Sequence, residues 1–332
     1  MKRLKRSAGM GLALVVGGAL LFYAFKDIRP REVLDSLSDF RPAWLPVLLV
    51  FPLIDLLIRA LRWSLLLAPM TRAGVWTLTQ LEAIGLAVNN VLFLRLGEVA
   101  RSLVAAQEFE VPVMSVLATI VVERLCDMAA ILLLFVVGAS FMPDLVEPRL
   151  RALAAGLTLL ILAALGTAAA GGERLARAAA RLRGLPSVGR MAGELVCGTR
   201  ALRSWSVCFQ VGFWSLALWI WDAAYCSAIA ASMGFEPGLG LGRAILVLCT
   251  AAAGTMLPTV PGAFGNFEAS VRFILERFGY DRALAVSYAM VSHLLGYAIV
   301  TLLGVLFLYK LGHTFESLRR ALTEAPAAGG RP

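Results

Sequence analysis

Amide and charged side chains interrupt an otherwise apolar stretch between residues 82 and 101. They are Asn89, Asn90, Arg95, Glu98 and Arg101. Ionised groups at membrane depth are costly, and they persist mainly where they face a partner or a wet cavity. If the chain is helical from Gly97 onward, the three charged residues share one face, and we expect Glu98 to bridge both arginines.

This arginine cluster predicts a site for a lipid phosphate. The planar guanidinium group donates hydrogen bonds in pairs, which suits the oxygens of a phosphate. The alternative is an ion-pair network that only anchors the segment. In either case Asn89 and Asn90 lie where the helix is expected to break, so their amides can satisfy backbone groups that the break leaves free.

A second charged group, Glu123, Arg124 and Asp127, lies in the middle of the apolar run from 113 to 138. The two carboxylates are four residues apart and therefore face the same way. Unpaired charges would be unstable here, so we expect pairing with Arg95 or Arg101. Support of those arginines and a direct proton or substrate site both remain open.

A third group is a loop that begins at Pro258, where Pro258, Pro261, Gly262 and Gly265 cannot continue a helix. An amphipathic helix comes next, and its apolar stripe comprises Phe267, Val271, Ile274, Leu275 and Phe278. The free amides at the start of this helix predict an anion pocket. Glu268 is placed to pair with Arg272, and the alternative is an ordinary acidic first turn.

Other polar residues in apolar segments give weaker signals. Asp55 and Arg59 are four residues apart and are expected to pair. Asp222 and His293 are candidates for the same interior, although a lone histidine is more often a satisfied core residue. The chain has two histidines and no Ser/His/Asp set, HExxH motif, P-loop or other nucleotide motif. We therefore expect no enzyme activity, cofactor or metal site.

The composition indicates a membrane protein. Of 332 residues, 59% are hydrophobic and 16% are charged, with a mean hydropathy of +0.79. Soluble chains carry about 25% charged residues. The net charge of +9 comes from arginines beside apolar segments, which is typical of orientation signals and not of nucleic-acid binding. Five cysteines without a CxxC pair support neither a disulfide framework nor a metal site.

Apolar runs of membrane-spanning length predict an all-α fold with about six full spans. They cover residues 9–25, 43–62, 113–138, 150–171, 205–232 and 283–309. The first is expected to be an uncleaved span, and residues 30–44 to lie on the outer surface as an amphipathic segment. Arginines at 59, 62 and 72, and seven more between 173 and 203, place those ends in the cytoplasm, together with both termini.

Counting these crossings leaves residues 75–112 and 243–281 to begin and end on one side. Each is therefore predicted to be a re-entrant helical hairpin, and the two enter from opposite faces, as in the inverted repeats of secondary transporters. We expect residues 1–310 to form one membrane domain and 311–332 a cytoplasmic tail whose last part is disordered.

Three motifs resemble those of a known family. Residues 89–101 (NNVLFLRLGEVAR) resemble the signature N-x-L-P-x-R-x-G-E-x-x-R, with Phe93 in place of the proline. Residues 123–127 (ERLCD) are similar to E-R-x-x-D, and residues 258–268 (PTVPGAFGNFE) to P-x-x-P-G-x-x-G-x-x-E. The family is the lysylphosphatidylglycerol synthase transmembrane, or flippase-like, family of inner-membrane proteins. His293 fits the branch that has histidine in the last span.

The resemblance implies movement of a phospholipid or a lipid-linked precursor between the leaflets of the inner membrane. It does not imply lysyl transfer, which a separate soluble domain performs in bifunctional members. Two alternatives stay open: a membrane enzyme that uses Glu98, Asp127 or Glu268 as a base, and a scaffold for envelope synthesis. The lipid, the energy source and the oligomeric state do not follow from the sequence.

Overall fold

The computed structural model describes residues 15–16, 18–26, 28–92, 96–180, 198–256, 261–314 and 316. Arg95 and Pro258 lie outside this part of the chain, as do most of the arginine-rich loop, most of the tail and the start of the first predicted span. The regular structure within the described residues is helical, in agreement with the predicted all-α class.

The described part of the chain contains ten labelled α-helices. They are α1 (Pro30–Ser38), α2 (Leu45–Leu67), α3 (Val75–Val91), α4 (Gly97–Glu108), α5 (Val113–Ser140), α6 (Pro148–Ala180), α7 (Trp205–Ser232), α8 (Leu241–Thr255), α9 (Asn266–Arg277) and α10 (Arg282–Lys310). Residues 18–25 are also helical, and 3-10 turns occupy Pro42–Trp44, Arg200–Arg203 and Pro261–Ala263.

Four segments of the described chain are long and apolar enough to cross a membrane. They are Pro42–Leu67, Pro148–Gly171, Trp205–Ser232 and Arg282–Lys310. Helix α5 has 28 residues, which corresponds to about 42 Å, but it carries three charged residues near its middle. The outer face of α6 is rich in exposed leucines, for example Leu159 and Leu160. An apolar surface of this kind is stable against lipid, so the chain is a multi-pass membrane protein.

The order of elements in the first half recurs in the second. The long helix α2 is followed by the pair α3 and α4 and then by long α5. Helix α7 is followed by α8 and α9 and then by long α10. The paired helices have similar lengths, 17 and 12 residues in one half and 15 and 12 in the other. Each predicted hairpin is therefore a pair of packed helices with a break between them.

Contacts between the halves bring the two breaks to the same region. Helix α2 packs against α7, and α3 packs along α10. The second contact is close because Gly304 of α10 faces Ala83 and Ala87 of α3, where a Cβ at position 304 would overlap both. Helix α1 also packs on α10, with Val33 buried and Leu34 exposed. It is thus a short amphipathic helix, as its apolar spacing predicted.

The end of the second predicted span needs correction. The prediction ended it at residue 62 and counted Arg62 as a charge at the membrane face. Helix α2 continues to Leu67, and the side chain of Arg62 is completely buried inside the protein. Arg59 was counted with it, and it too lies within α2 and pairs with Asp55. Neither arginine carries information about orientation, because neighbouring side chains and not water neutralise its charge.

Candidate functional site

Arg62 is at the centre of a buried ion-pair network. Its guanidinium group pairs with both carboxylate oxygens of Asp127, and it lies 3.2 Å from Glu123. It also donates to Ser215 Oγ of α7 at 3.1 Å. The network thus joins α2, α5 and α7. Because both carboxylates are buried, each needs these cationic partners to remain ionised.

Arg101 of α4 extends the network toward α3. It pairs with Glu82 and lies 3.2 Å from Glu123, and its guanidinium group stacks 4.3 Å from the ring centre of Trp63. The pairing with Glu123 confirms the sequence prediction. The predicted bridge from Glu98 to Arg101 is wrong, because two other carboxylates already occupy this arginine.

Arg124 completes the network. It lies 2.5 Å from Glu123 and 3.5 Å from Asp127, and its side chain keeps 39% of its surface exposed. Three arginines (62, 101 and 124) therefore meet three carboxylates (82, 123 and 127), so the formal charges cancel. A balanced cluster of this kind holds helices together and has little capacity left for an added phosphate.

Asn89 connects the two sides of the first break. Its Oδ1 accepts from the backbone N–H of Gly97 at 2.7 Å, and its Nδ2 donates to Glu98 at 3.3 Å. It thereby satisfies a free amide at the start of α4, as predicted for the amide pair. Asn90 has a different role, because it donates to Thr301 of α10 at 2.8 Å.

Glycines shape the second break. Gly262 and Gly265 have φ angles of 72° and 88°, a region that glycine enters without steric cost. The amide of Gly265 donates to Glu268 Oε2 at 2.7 Å. The predicted anion pocket at the start of α9 is therefore occupied at this amide by the helix's own carboxylate.

Arg272 does not pair with Glu268, contrary to the prediction. It pairs with Glu276 at 2.7 Å, and its Nη1 donates to the backbone oxygens of Tyr23, Ala24 and Lys26. The arginine thus anchors the end of the first helical segment. Glu268 is drawn away because its carboxylate caps α9 and contacts a residue of α10.

That residue is His293, which holds the second break against α10. Its Nδ1 lies 2.6 Å from Glu268 Oε1 and its Nε2 lies 2.8 Å from the carbonyl oxygen of Gly262. The rings of Phe264 and Phe267 pack against the imidazole. Since a carbonyl oxygen only accepts, Nε2 carries hydrogen.

A cavity of about 250 Å³ lies between α2, α3, α7 and α10, and His293 and Asn90 both line it. Its other polar lining residues are Asp55, Arg59, Asp222, Tyr225 and Tyr297. Arg59 Nε lies 2.8 Å from Asp55, which confirms the predicted pair, and its Nη2 lies 3.9 Å from Asp222. Asp222 and His293 thus share one interior, as the sequence suggested.

A larger cavity of about 670 Å³ lies between α5, α6 and α7, but its lining is mostly apolar and contains none of the predicted site residues. No group of three or more histidine, cysteine or acidic residues in the described part of the chain could hold a metal ion. The polar cavity is therefore the candidate functional site.

The sequence did not identify four ionisable residues of the network or the cavity as part of a site: Arg62, Glu82, Tyr225 and Tyr297. Arg62 and Glu82 lie inside apolar stretches, and that position was a usable signal. The tyrosines resemble ordinary interior aromatics, so nothing in the sequence distinguishes them.

Comparison with known proteins identifies the family. Residues 10–304 match the family described as "Lysylphosphatidylglycerol synthase TM region". This match covers most of the chain, so the chain belongs to that family. A search of curated proteins found no match.

Proposed function

We propose that this member of the lysylphosphatidylglycerol synthase transmembrane family moves a polar-headed lipid, or a lipid-linked precursor, between the leaflets of the bacterial inner membrane. The observation that supports it most is the polar cavity between α2, α3, α7 and α10, which two residues connect to the breaks. Asn90 contributes to it from the end of α3, and His293 contributes while it holds the other break. A polar cavity at a repeat interface is where transporters bind their substrates.

The membrane topology is part of the proposal. Helix α5 is a fifth full span beside the four apolar ones, because its charges are neutralised inside the protein, and the segment that ends at residue 25 is the sixth. The pairs α3–α4 and α8–α9 enter as re-entrant hairpins from opposite faces, and both termini are cytoplasmic. The repeated order of elements supports this arrangement.

We expect the head group to carry a phosphate, but with different ligands from those that the sequence suggested. Arg101 is buried between two carboxylates and is not available. Arg59 also lies between two carboxylates, but it lines the cavity and its side chain is 12% exposed, against 3% for Arg101. Arg95 remains a predicted ligand outside the described residues. Tyr225 and Tyr297 supply hydroxyl groups for the rest of the head group, while the acyl chains stay in lipid.

We expect transport without chemical change, because all three carboxylates suggested as bases are in contact with other groups. Asp127 is bound by two arginines. Glu268 binds the amide of Gly265 and the ring of His293. Glu98 contacts the amide of Asn89. A general base must be able to reach the proton that it removes, and these contacts stand in the way.

Vesicle transport assays test the proposal. Purified protein is reconstituted with fluorescent lipids that carry anionic, zwitterionic or neutral head groups, and a membrane-impermeant quencher reports the outer leaflet. We expect faster exchange of at least one phosphate-bearing lipid than in protein-free vesicles, with its mass unchanged. Exchange no faster than in protein-free vesicles for every lipid class would contradict the proposal. Conversion of the lipid would favour the enzyme alternative.

A further inference from the structure

The formal charges of the ionisable side chains in the polar cavity do not cancel. Asp55 and Asp222 both lie against the guanidinium group of Arg59, at 2.8 and 3.9 Å. Two carboxylates thus share one arginine, which leaves a formal charge of −1 when both are ionised. The neighbouring network does not correct this, because its three arginines are matched by its own three carboxylates.

A second observation places the excess negative charge near Asp55. Asp55 is 9% exposed, and only its Oδ2 binds Arg59. Its Oδ1 is buried without a hydrogen-bond partner, and so is the hydroxyl of Tyr225 on the facing helix. An ionised oxygen that is buried and unpaired is costly, so the geometry favours a further hydrogen at this position.

The hydroxyl of Tyr225 forms no hydrogen bond to Asp55, and the other groups on the surrounding helices have partners of their own. Asp127 of α5 is bound by Arg62 and Arg124. His293 of α10 binds Glu268 of α9 and the carbonyl oxygen of Gly262. Tyr297 of α10 donates to the backbone oxygen of Asn90 on α3. Among the described residues, the ligands are also too few for a metal ion.

We propose that Asp55 and Asp222 share one proton. It is bound covalently to one carboxyl and donated to the other, it comes from water in the cavity, and it returns there on release. When the proton is bound, the two carboxyl groups and Arg59 together are neutral. When it is released, they carry a net charge of −1. The consequence for transport rests on the proposed function: the neutral cavity accepts an anionic head group, and the charged cavity repels it.

Infrared difference spectroscopy of the reconstituted protein tests proton binding directly. We expect a protonated-carboxyl C=O band at neutral pH that shifts in D₂O. The band should be lost in Asp222→Asn and in Asp55→Asn, and kept in Asp144→Asn, a control on the exposed turn after α5. Asparagine can donate a hydrogen bond to the remaining carboxylate, so we expect these variants to fold.

Wild-type protein whose spectrum lacks the band between mildly acidic and mildly alkaline pH would overturn the proposal. So would a band that both cavity variants retain. Replacing sodium by choline at constant ionic strength distinguishes a metal ion from a proton, since a spectrum that changes with sodium alone would also count against a shared proton. The infrared measurement does not depend on lipid movement. Its result can therefore be told apart from a failure of the transport proposal.

Discussion

Arg62 shows how a single buried side chain organises three helices. Its partners lie 61 and 65 positions along the chain on α5, and a further contact is on α7. The sequence analysis assigned this arginine to the membrane face because arginines near the end of an apolar run usually lie there. The apolar residues that follow it, up to Leu67, were a signal that it lies within the helix, but only the tertiary contacts show which groups it pairs with.

Replacing Arg62 by alanine should therefore destabilise the protein strongly. The change leaves Asp127 and Glu123 buried with fewer cationic partners, and breaking a buried pair costs about 3–5 kcal/mol. Thermal unfolding in detergent measures the effect. Arg72→Ala, at an exposed position, is the control and should change stability by no more than about 0.5 kcal/mol. Equal stability of the two variants would contradict the role given to Arg62.

Local spacing predicted some residue contacts correctly and others incorrectly. Asp55 and Arg59 pair at the distance expected for an i,i+4 pair, whereas Glu268 and Arg272 do not. The second prediction is wrong because His293 and the amide of Gly265 offer Glu268 stronger partners. A spacing rule worth a few tenths of a kcal/mol yields to charge-assisted contacts worth about 1.5–3 kcal/mol.

His293 provides a test of how the second break is held. In His293→Ala, the contacts to Glu268 and Gly262 are lost, so residues 261–268 should open more often. Each 1.4 kcal/mol corresponds to a tenfold change, so we expect amide hydrogen exchange there to rise roughly tenfold or more. His313→Ala, beyond the end of α10, should leave exchange in these residues unchanged. Unchanged exchange of residues 261–268 in His293→Ala would show that His293 does not hold the second break.

At the scale of elements, the sequence predicted the broken helix pairs well. Proline and glycine mark the second break, and the amide pair marks the first. The packing of the paired helices was harder to predict from the sequence, because it depends on a close approach between their backbones. Gly97 lies against the carbonyl oxygen of Gly85 and the side chain of Asn89, and a Cβ there would overlap both. Two glycines twelve residues apart in the sequence do not predict such a contact.

The substitution Gly97→Ala tests this close approach. We expect it to separate α3 from α4 and to cost about 1–3 kcal/mol, the usual range for overpacking. Gly166→Ala is the matched control, since a Cβ at that position on α6 meets nothing within 4 Å and alanine favours the helix. If both variants unfold at the wild-type temperature, the two helices are not packed as described.

At the scale of the whole molecule, composition was enough to predict a helical membrane protein, and the motifs were enough to predict its family. The cavity was not predictable in the same way, because it is formed by four helices from both halves of the chain. Asp222 and His293 were suggested as neighbours, but the position of Arg59 between two carboxylates required the fold.

The shared proton predicts how transport responds to a pH gradient. An anionic head group should enter more readily from the acidified side, where the pair is neutral, so wild-type vesicles should move the lipid faster in that direction. Asp222→Asn should respond far less, because its cavity stays neutral. Asp144→Asn should behave as wild type. Equal rates in both directions for the wild-type protein would contradict this coupling.

The most direct test is to block the cavity. Gly296 of α10 lines it, and a Cβ there meets nothing within 4 Å, so a larger side chain can fill the space without disturbing the helix packing. We predict that Gly296→Phe reduces lipid exchange in vesicles to the protein-free rate. Gly296→Ala and Gly156→Phe, whose site is exposed on α6, should keep it. A folded Gly296→Phe protein that moves lipid at the wild-type rate would show that head groups do not cross through this cavity.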